Sequence, residues 1–136
     1  LFQKALDIHR KVQGENHPAT ATSYGNLAMN MNAQGKAPEA QPLLQQTLDI
    51  SRKVLGENHP HTATSYNNVA YNLQSLGKAA EAQPLSEKAL EIRLKVLGED
   101  HPDTAMSYNN LAMNLIAQGK AAEAQPLSEK ALEIRL

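Results

Sequence analysis

The feature that most constrains the fold is a repeat of 42 residues that runs through the chain. Glycines and prolines recur at this spacing in four sets: Gly14, Gly56 and Gly98; Gly35, Gly77 and Gly119; Pro18, Pro60 and Pro102; Pro42, Pro84 and Pro126. Segment 57–94 differs from segment 99–136 at only 8 of 38 positions. Self-similarity at such a period is typical of solenoid proteins, in which each unit contacts mainly its neighbours.

Each unit has the pattern of two consecutive helices. The first helix is predicted at 18–34, 60–76 and 102–118, and it opens with a proline, whose missing N–H has no partner at that position anyway. A glycine that can adopt a left-handed cap ends it, and a second helix such as 79–97 follows. A lone hairpin cannot bury its apolar face, whereas stacked hairpins can. The sequence therefore predicts an all-α fold, a right-handed α-solenoid of stacked antiparallel helix hairpins.

The repeat also divides the chain. We expect a single array over 1–136, with helix-hairpin repeats at 18–55, 60–97 and 102–136, the last one truncated. Residues 1–13 match 85–97, so they are predicted to form a partial second helix of a preceding repeat. The chain is thus expected to be a fragment of a longer array, with apolar faces exposed at one or both ends.

Composition excludes several classes of protein. A net charge of −1 argues against binding to nucleic acid, which requires a basic surface. Apolar runs do not exceed three residues, so we expect no membrane-spanning segment, and we also expect no signal peptide. The absence of cysteine excludes disulfides, thiol catalysis and cysteine-type zinc sites, and it fits a reducing compartment. We therefore expect a cytoplasmic protein.

Histidines in the turns are the main candidates for chemistry. His17, His59 and His101 recur once per unit, which predicts a structural role in the turn. The densest local cluster is Glu57-x-His59-x-His61, a weak candidate for adventitious metal binding. The sequence contains no evident catalytic triad and no glycine-rich phosphate loop. We predict no catalytic residue, no metal site, no cofactor and no enzymatic activity.

The repeat pattern resembles a known family. The motif N-N-L-A-x-N-L…Q-G-K-A-x-E-A-x-P-L…A-L-E-I-R…V-L-G-E-D-H-P-D-T is similar to the tetratricopeptide repeat in its 42-residue, kinesin light chain-like form, and the resemblance covers essentially the whole chain. It implies a superhelix whose first helices line a concave groove that binds short extended peptides or partner domains.

The resemblance also implies which residues line that groove. Amide side chains can pair with a peptide backbone of any sequence, because an amide is both a donor and an acceptor. The expected groove residues are such amides together with one hydroxyl and three apolar contacts: Asn26, Asn67, Asn68, Asn109, Asn110, Thr64, Tyr71, Met113 and Ile116.

Charges are unevenly distributed over the repeat. Of the 13 Lys and Arg and 14 Asp and Glu residues, only Asp103 lies in a predicted first helix. Arg93 and Lys95, on a second helix, are expected to lie outside the groove. The predicted function is therefore a protein interaction scaffold that binds an extended, largely uncharged peptide, with weak dependence on salt. The alternative is a structural spacer or self-associating element that stacks end to end through uncapped terminal helices.

Overall fold

The computed structural model describes the backbone of residues 18–135 and the side chains of residues 25–134. The partial helix expected at 1–13 and the turn residue His17 lie outside the described residues. Within them the chain forms six α-helices and no strand: α1 Pro18–Ala33, α2 Ala37–Val54, α3 Pro60–Ser75, α4 Ala79–Val96, α5 Pro102–Ala117 and α6 Ala121–Arg135. These helices make three hairpins, which we call unit 1 (α1 and α2), unit 2 (α3 and α4) and unit 3 (α5 and α6).

Local sequence signals set the helix ends. His59 and His101 are the N-caps of α3 and α5, and the Nδ1 atom of each accepts a hydrogen bond at 3.0 Å from the backbone N–H two residues later. The structural role predicted for these two histidines is thereby confirmed. After α3, Gly77 adopts a φ of +78°, and the N–H of Lys78 bonds the Leu73 carbonyl at 2.8 Å. This is a Schellman cap, which requires a left-handed residue that glycine supplies without strain.

The three hairpins stack so that each unit packs against the next through both of its helices. The main core lies between units 1 and 2, where Leu44, Leu48, Val69 and Ile92 are almost fully buried. A second cluster between units 2 and 3 contains Leu90 and residues of α5 and α6. The predicted all-α array of stacked helix hairpins is confirmed.

Buried hydroxyls also connect the turns to the first helices. The Thr62 and Thr104 side chains are fully buried, and they donate to the carbonyls of Gly56 and Gly98 at 2.7 and 2.8 Å. Each bond ties a first helix to the turn that precedes it. None of the helices in the described part of the chain has the length and apolar character needed to cross a membrane.

Candidate ligand-binding groove

Two adjoining cavities lie where the first helices of successive units meet. The first, which we call the neutral pocket, lies between units 1 and 2 and has a volume of about 250 Å³. Residues of α1, α2 and α3 line it, among them Gly25, Asn26, Thr47, Ser51, Ser65 and Asn68.

The second cavity, which we call the arginine pocket, extends across α1, α3 and α5 and has a volume of about 280 Å³. Its lining includes Asn67, Tyr71, Met106 and Asn110, together with Arg93 from α4. Three residues, Met29, Thr64 and Asn68, line both cavities, so the two form one continuous groove.

The Arg93 side chain reaches into this groove from a second helix. It is only 6% exposed, and its Nη1 donates to the Ser107 hydroxyl at 2.9 Å and to the Asp103 backbone carbonyl at 3.1 Å. Its Nη2 donates to the Thr64 hydroxyl at 3.1 Å. All three acceptors are neutral, and they use three of the five donors that a guanidinium carries.

No carboxylate of the described residues forms an ion pair with Arg93. Burial lowers the pKa of Arg93, and the charge of the Asp103 carboxylate partly opposes this shift. Arginine nevertheless stays protonated at neutral pH. A buried cation without an anionic partner is unusual, since buried charges are normally paired.

The expectation that Arg93 lies outside the groove is therefore wrong, and so is the expectation of a groove without charge. The buried face of α4 includes Ala89 and Ile92, and it is wide enough to include Ser86 and Leu90 as well. Arg93 lies one helical turn after Ala89 on this face, where unit 3 packs. Its position depends on how α5 stacks against α4, which the sequence of α4 alone does not show.

The predicted asparagines separate into two groups. Asn26, Asn68 and Asn110 line the pockets, and their side chains make no hydrogen bond with another residue that the structure describes. Asn67 differs, because it is 9% exposed and its Nδ2 donates a long hydrogen bond of 3.4 Å to the Ser107 hydroxyl. Its Oδ1 is buried and has no partner. The arginine pocket thus contains an unpaired cation and an unpaired amide oxygen.

The other predicted groove residues are also divided. Thr64 and Tyr71 line the groove, and Tyr71 is 56% exposed. Met113 and Ile116 are similarly exposed on α5 but line neither cavity, and the half-buried Asn109 does not line one either. Each cavity is walled by the first helix of the following unit, and no such helix packs beside α5 within the described residues.

Comparison of the units carries a signal that could have identified Arg93. Ser51 occupies in unit 1 the position that Arg93 occupies in unit 2, and Gly25 occupies the position of Asn67. Both differences lie on the walls of the cavities. The expected groove residues all lie on first helices, whereas Ser51 and Arg93 lie on second helices.

The residues of the Glu57-x-His59-x-His61 cluster do not converge on a common point. The Glu57 carboxylate accepts hydrogen bonds from Arg52 and Tyr66, and His59 uses Nδ1 as the cap of α3. The rings of His59 and His61 meet edge to face at 5.1 Å. Among the described residues no three His, Asp or Glu side chains are arranged to hold a metal ion.

Comparison with known proteins places this geometry in a family. The sequence matches the family described as Tetratricopeptide repeat over residues 1–53, 24–95 and 61–136. The human protein "Tetratricopeptide repeat protein 19, mitochondrial" is 40% identical over 45 residues, which are 33% of this chain and 12% of that protein.

Solved structures give a wider match. BtubC (BKLC) from P. vanneervenii superposes with a TM-score of 0.89 and 28% identity, over 98% of this chain and 54% of that chain. A Podosopora anserina protein with nearly identical, kinesin light chain-type TPR-like repeats gives a TM-score of 0.81 and 32% identity, over 98% and 64% of the two chains. This chain thus spans less than two thirds of the length of these relatives. The family matches cover the chain from end to end, and the chain belongs to the tetratricopeptide repeat family.

Proposed function

We propose that the chain binds an extended segment of a partner protein in the groove, and that this segment places a carboxylate in the arginine pocket. Tetratricopeptide repeats generally mediate protein–protein interaction. The observation that carries the finer proposal is Arg93, a buried guanidinium that lines the groove and forms no ion pair with a described carboxylate, since the charge of Asp103 acts on it only from a greater distance.

The chemistry of Arg93 favours a carboxylate ligand. Its three hydrogen bonds go to neutral oxygens, so two of its five N–H donors remain for a ligand. Hydrogen bonds between a guanidinium and a carboxylate are short and strong, and they are stronger still in a site with little water. An aspartate or glutamate side chain of the bound segment supplies such a group.

The amides favour a peptide as the remainder of the ligand. Asn26, Asn68 and Asn110 follow one another along the groove with free donors and acceptors, which match the N–H and C=O groups of an extended backbone. The two cavities, of about 250 and 280 Å³, adjoin, so an extended chain that lies along the groove can place one side chain in each.

We also propose that residues 1–136 form one non-catalytic array in the cytoplasm. This array would bind protein or peptide partners and no nucleic acid. The net charge of −1 and the absence of cysteine support these points.

A peptide titration tests the proposal. The probes are N-acetylated, C-amidated octapeptides selected on the protein for binding, each measured with a central Asp and with Asn in its place. For the wild-type protein the Asp peptide should bind at least about tenfold more tightly, because a charged hydrogen bond is worth about 1.5–3 kcal/mol. In Arg93→Ser, which introduces the residue of unit 1, this preference should disappear.

Lys95→Ser is the matched control, since Lys95 is exposed on the same helix and carries the same charge. It should keep the preference for the Asp peptide. Equal affinities for the Asp and Asn peptides in the wild-type protein would contradict the proposal, and so would an unchanged preference in Arg93→Ser.

One observation favours self-association as a second candidate function. Leu132 on α6 is 60% exposed, whereas its equivalent in unit 2, Leu90, is 9% exposed and packs in the core between units 2 and 3. A stacking surface of this kind can accept a second copy of the chain. Sedimentation equilibrium should then show a dimer that Leu132→Glu dissociates. A monomer at all concentrations would exclude this candidate.

A further inference from the structure

We propose that the neutral pocket holds an uncharged, apolar side chain of the bound segment, and that Gly25 and Ser51 determine this specificity. This inference rests on the proposed function and adds a second, chemically different subsite beside the arginine pocket.

The neutral pocket is open because two residues in unit 1 are smaller than their equivalents in unit 2. Gly25 takes the place of Asn67, and Ser51 takes the place of Arg93. In unit 2 the longer side chains occupy this region and bring a charge with them. In unit 1 the same region is a cavity of about 250 Å³, and none of the described residues that line it is Lys, Arg, Asp or Glu.

The hydroxyl groups on the wall of the neutral pocket are already engaged. Ser51 and Ser65 form a hydrogen bond of 3.2 Å between their Oγ atoms. The Thr47 hydroxyl donates to the Leu43 carbonyl at 2.9 Å, and the Thr64 hydroxyl accepts from Arg93 and donates to the Pro60 carbonyl.

A polar side chain that entered this cavity would lose its bonds to water, and because the wall hydroxyls are already hydrogen-bonded, only the amides of Asn26 and Asn68 and the His61 ring could replace those bonds. An apolar side chain has no hydrogen bonds to water to lose, and it gains contact with Met29, with Leu55 and with the threonine methyl groups. The free amides of Asn26 and Asn68 remain for the peptide backbone. The exposed His61 also lines the cavity, and its ring packs against that of His59.

Packing against the described residues does not require a glycine at position 25. Among those residues, a Cβ atom added there would meet the Thr47 Cγ2 atom, at an ordinary contact distance of 3.7 Å. Glycine weakens the interior of a helix, and the other two units have asparagine at this position. What Gly25 preserves is the space of the cavity.

The two pockets share Met29, Thr64 and Asn68, so one extended segment can fill both. Free amides can bind a peptide backbone of any sequence, so they do not select which residue of the segment lies in which pocket. Two neighbouring pockets of different chemistry do select it, and they thereby fix the register of the segment in the groove. We therefore expect the bound segment to carry an apolar residue within a few positions of its carboxylate.

The test starts from a library of N-acetylated, C-amidated octapeptides with one fixed Asp and all other positions randomised, selected on the immobilised chain. We expect enrichment of Leu, Ile, Val, Met or Phe at one position near the Asp. The dissociation constant of the best peptide and of its Ser-substituted version is then measured for wild type, Gly25→Asn and Ser51→Arg.

Gly25→Asn should weaken binding of the apolar peptide at least about tenfold and should abolish its advantage over the Ser version. Ser51→Arg should shift the preference at that position from apolar to acidic, because Ser65 and the His61 carbonyl correspond to the Ser107 and Asp103 acceptors of Arg93. Ala80→Asn, at an exposed helical position outside both pockets, is the matched control and should leave binding unchanged.

The outcomes separate this inference from the proposed function. Peptides whose binding depends on Asp and on Arg93, but which show no apolar preference or no response to Gly25→Asn, overturn the inference and leave the proposed function standing. Failure of every peptide to bind wild type overturns both. Because the added Cβ at position 25 fits against the described residues without a clash, Gly25→Asn carries the test even where Ser51→Arg does not fold.

Discussion

The side-chain amide of Asn72 donates a hydrogen bond of 3.0 Å to the backbone carbonyl of Ala37, 35 residues earlier in the chain. Asn72 is fully buried, and it also donates to Gln41 at 2.7 Å and accepts from Asn32. Asn114 repeats the contact one unit later, with a bond of 2.8 Å to the Ala79 carbonyl. Each of these contacts joins the end of a first helix to the start of the preceding second helix. Buried amides thus help to fix how neighbouring units stack.

Asn72→Ala should lower the free energy of unfolding by about 1–2 kcal/mol, because it leaves Gln41 and Asn32 without their buried partner. Urea denaturation measures this change. Asn68→Ala, on the same helix, is the control and should change stability by less than about 0.5 kcal/mol, because Asn68 makes no hydrogen bond with another residue that the structure describes. Equal losses for the two variants would show that the connection between units is not the cause.

Gly25→Ala should raise the free energy of unfolding by about 0.5–1 kcal/mol, since alanine is the better helix former and its Cβ meets only an ordinary contact among the described residues. Thermal denaturation measures the gain. Gly35→Ala is the contrasting variant, because Gly35 has a φ of +79° and alanine there should cost about 1–2 kcal/mol. A loss of stability in both variants would argue that Gly25 is needed for packing after all.

Arg93→Met should remove selectivity for acidic peptides while it changes the free energy of unfolding by no more than about 1 kcal/mol. The loss of the hydrogen bonds to Ser107, Thr64 and the Asp103 carbonyl is offset because a buried charge no longer has to be desolvated. Calorimetry and the peptide titration together measure this trade-off. A clear loss of stability in Arg93→Met would instead assign Arg93 a mainly structural role.

Acid should weaken the contact between Glu57 and its partners. The hydrogen bond from Tyr66, together with the hydrogen bond and charge of Arg52, lowers the pKa of Glu57 below its ordinary value of 4.5 in the folded protein. A lowered folded pKa means that the stabilisation is present above pH 4.5 and is lost as the pH falls through the folded pKa. Glu57→Gln should therefore reduce stability at neutral pH, and the difference from wild type should shrink in acid.

Urea midpoints measured from neutral to acidic pH test this expectation. Glu87→Gln, at an exposed position, is the control and should differ little from wild type at any pH. A constant difference between Glu57→Gln and wild type across the whole range would be incompatible with this linkage.

Alkali should destabilise the protein through Tyr66. Burial, together with the hydrogen bond to Glu57, raises the pKa of Tyr66 from 10.0 to about 12. Because the folded pKa is the higher one, the stabilisation is fully present below pH 10 and is lost as the pH rises toward 12. Tyrosinate absorbance should therefore include an ionisation near pH 12, and Tyr66→Phe should remove that late step. The same late step in Tyr66→Phe would assign it to another tyrosine.

The fold was predictable because its signals are local and repeated. The first helix of unit 2 was expected at 60–76 and is observed at Pro60–Ser75, and its end is set by Gly77, whose positive φ needs no neighbour to explain it. A proline at the start of a helix and a glycine just after its end act through their own backbone geometry. Repetition at 42 residues then specifies that identical hairpins must bury the same faces against one another.

The groove was predictable only in part, because its character depends on contacts between units. Asn67, Asn68 and Asn72 lie on one helix, and the family resemblance placed Asn67 and Asn68 together in the groove without distinguishing one from the other. Stacking decides that Asn72 is fully buried in a connection between units, that Asn67 is buried with one unpaired oxygen, and that Asn68 is free in the groove.

Arg93 is the clearest case of a side chain whose environment the sequence alone does not predict. The sequence predicts that it belongs to the charged exterior of a second helix, and only the packing of α5 against α4 brings it beneath the groove, with Ser107 and Thr64 as acceptors. By itself the sequence determined the helices, their ends and the family, because these follow from backbone preferences and periodicity. Tertiary structure alone decided which polar side chains are satisfied and which remain available to a ligand, because hydrogen-bond partners that lie 14 or 29 residues away are brought together only when the units stack.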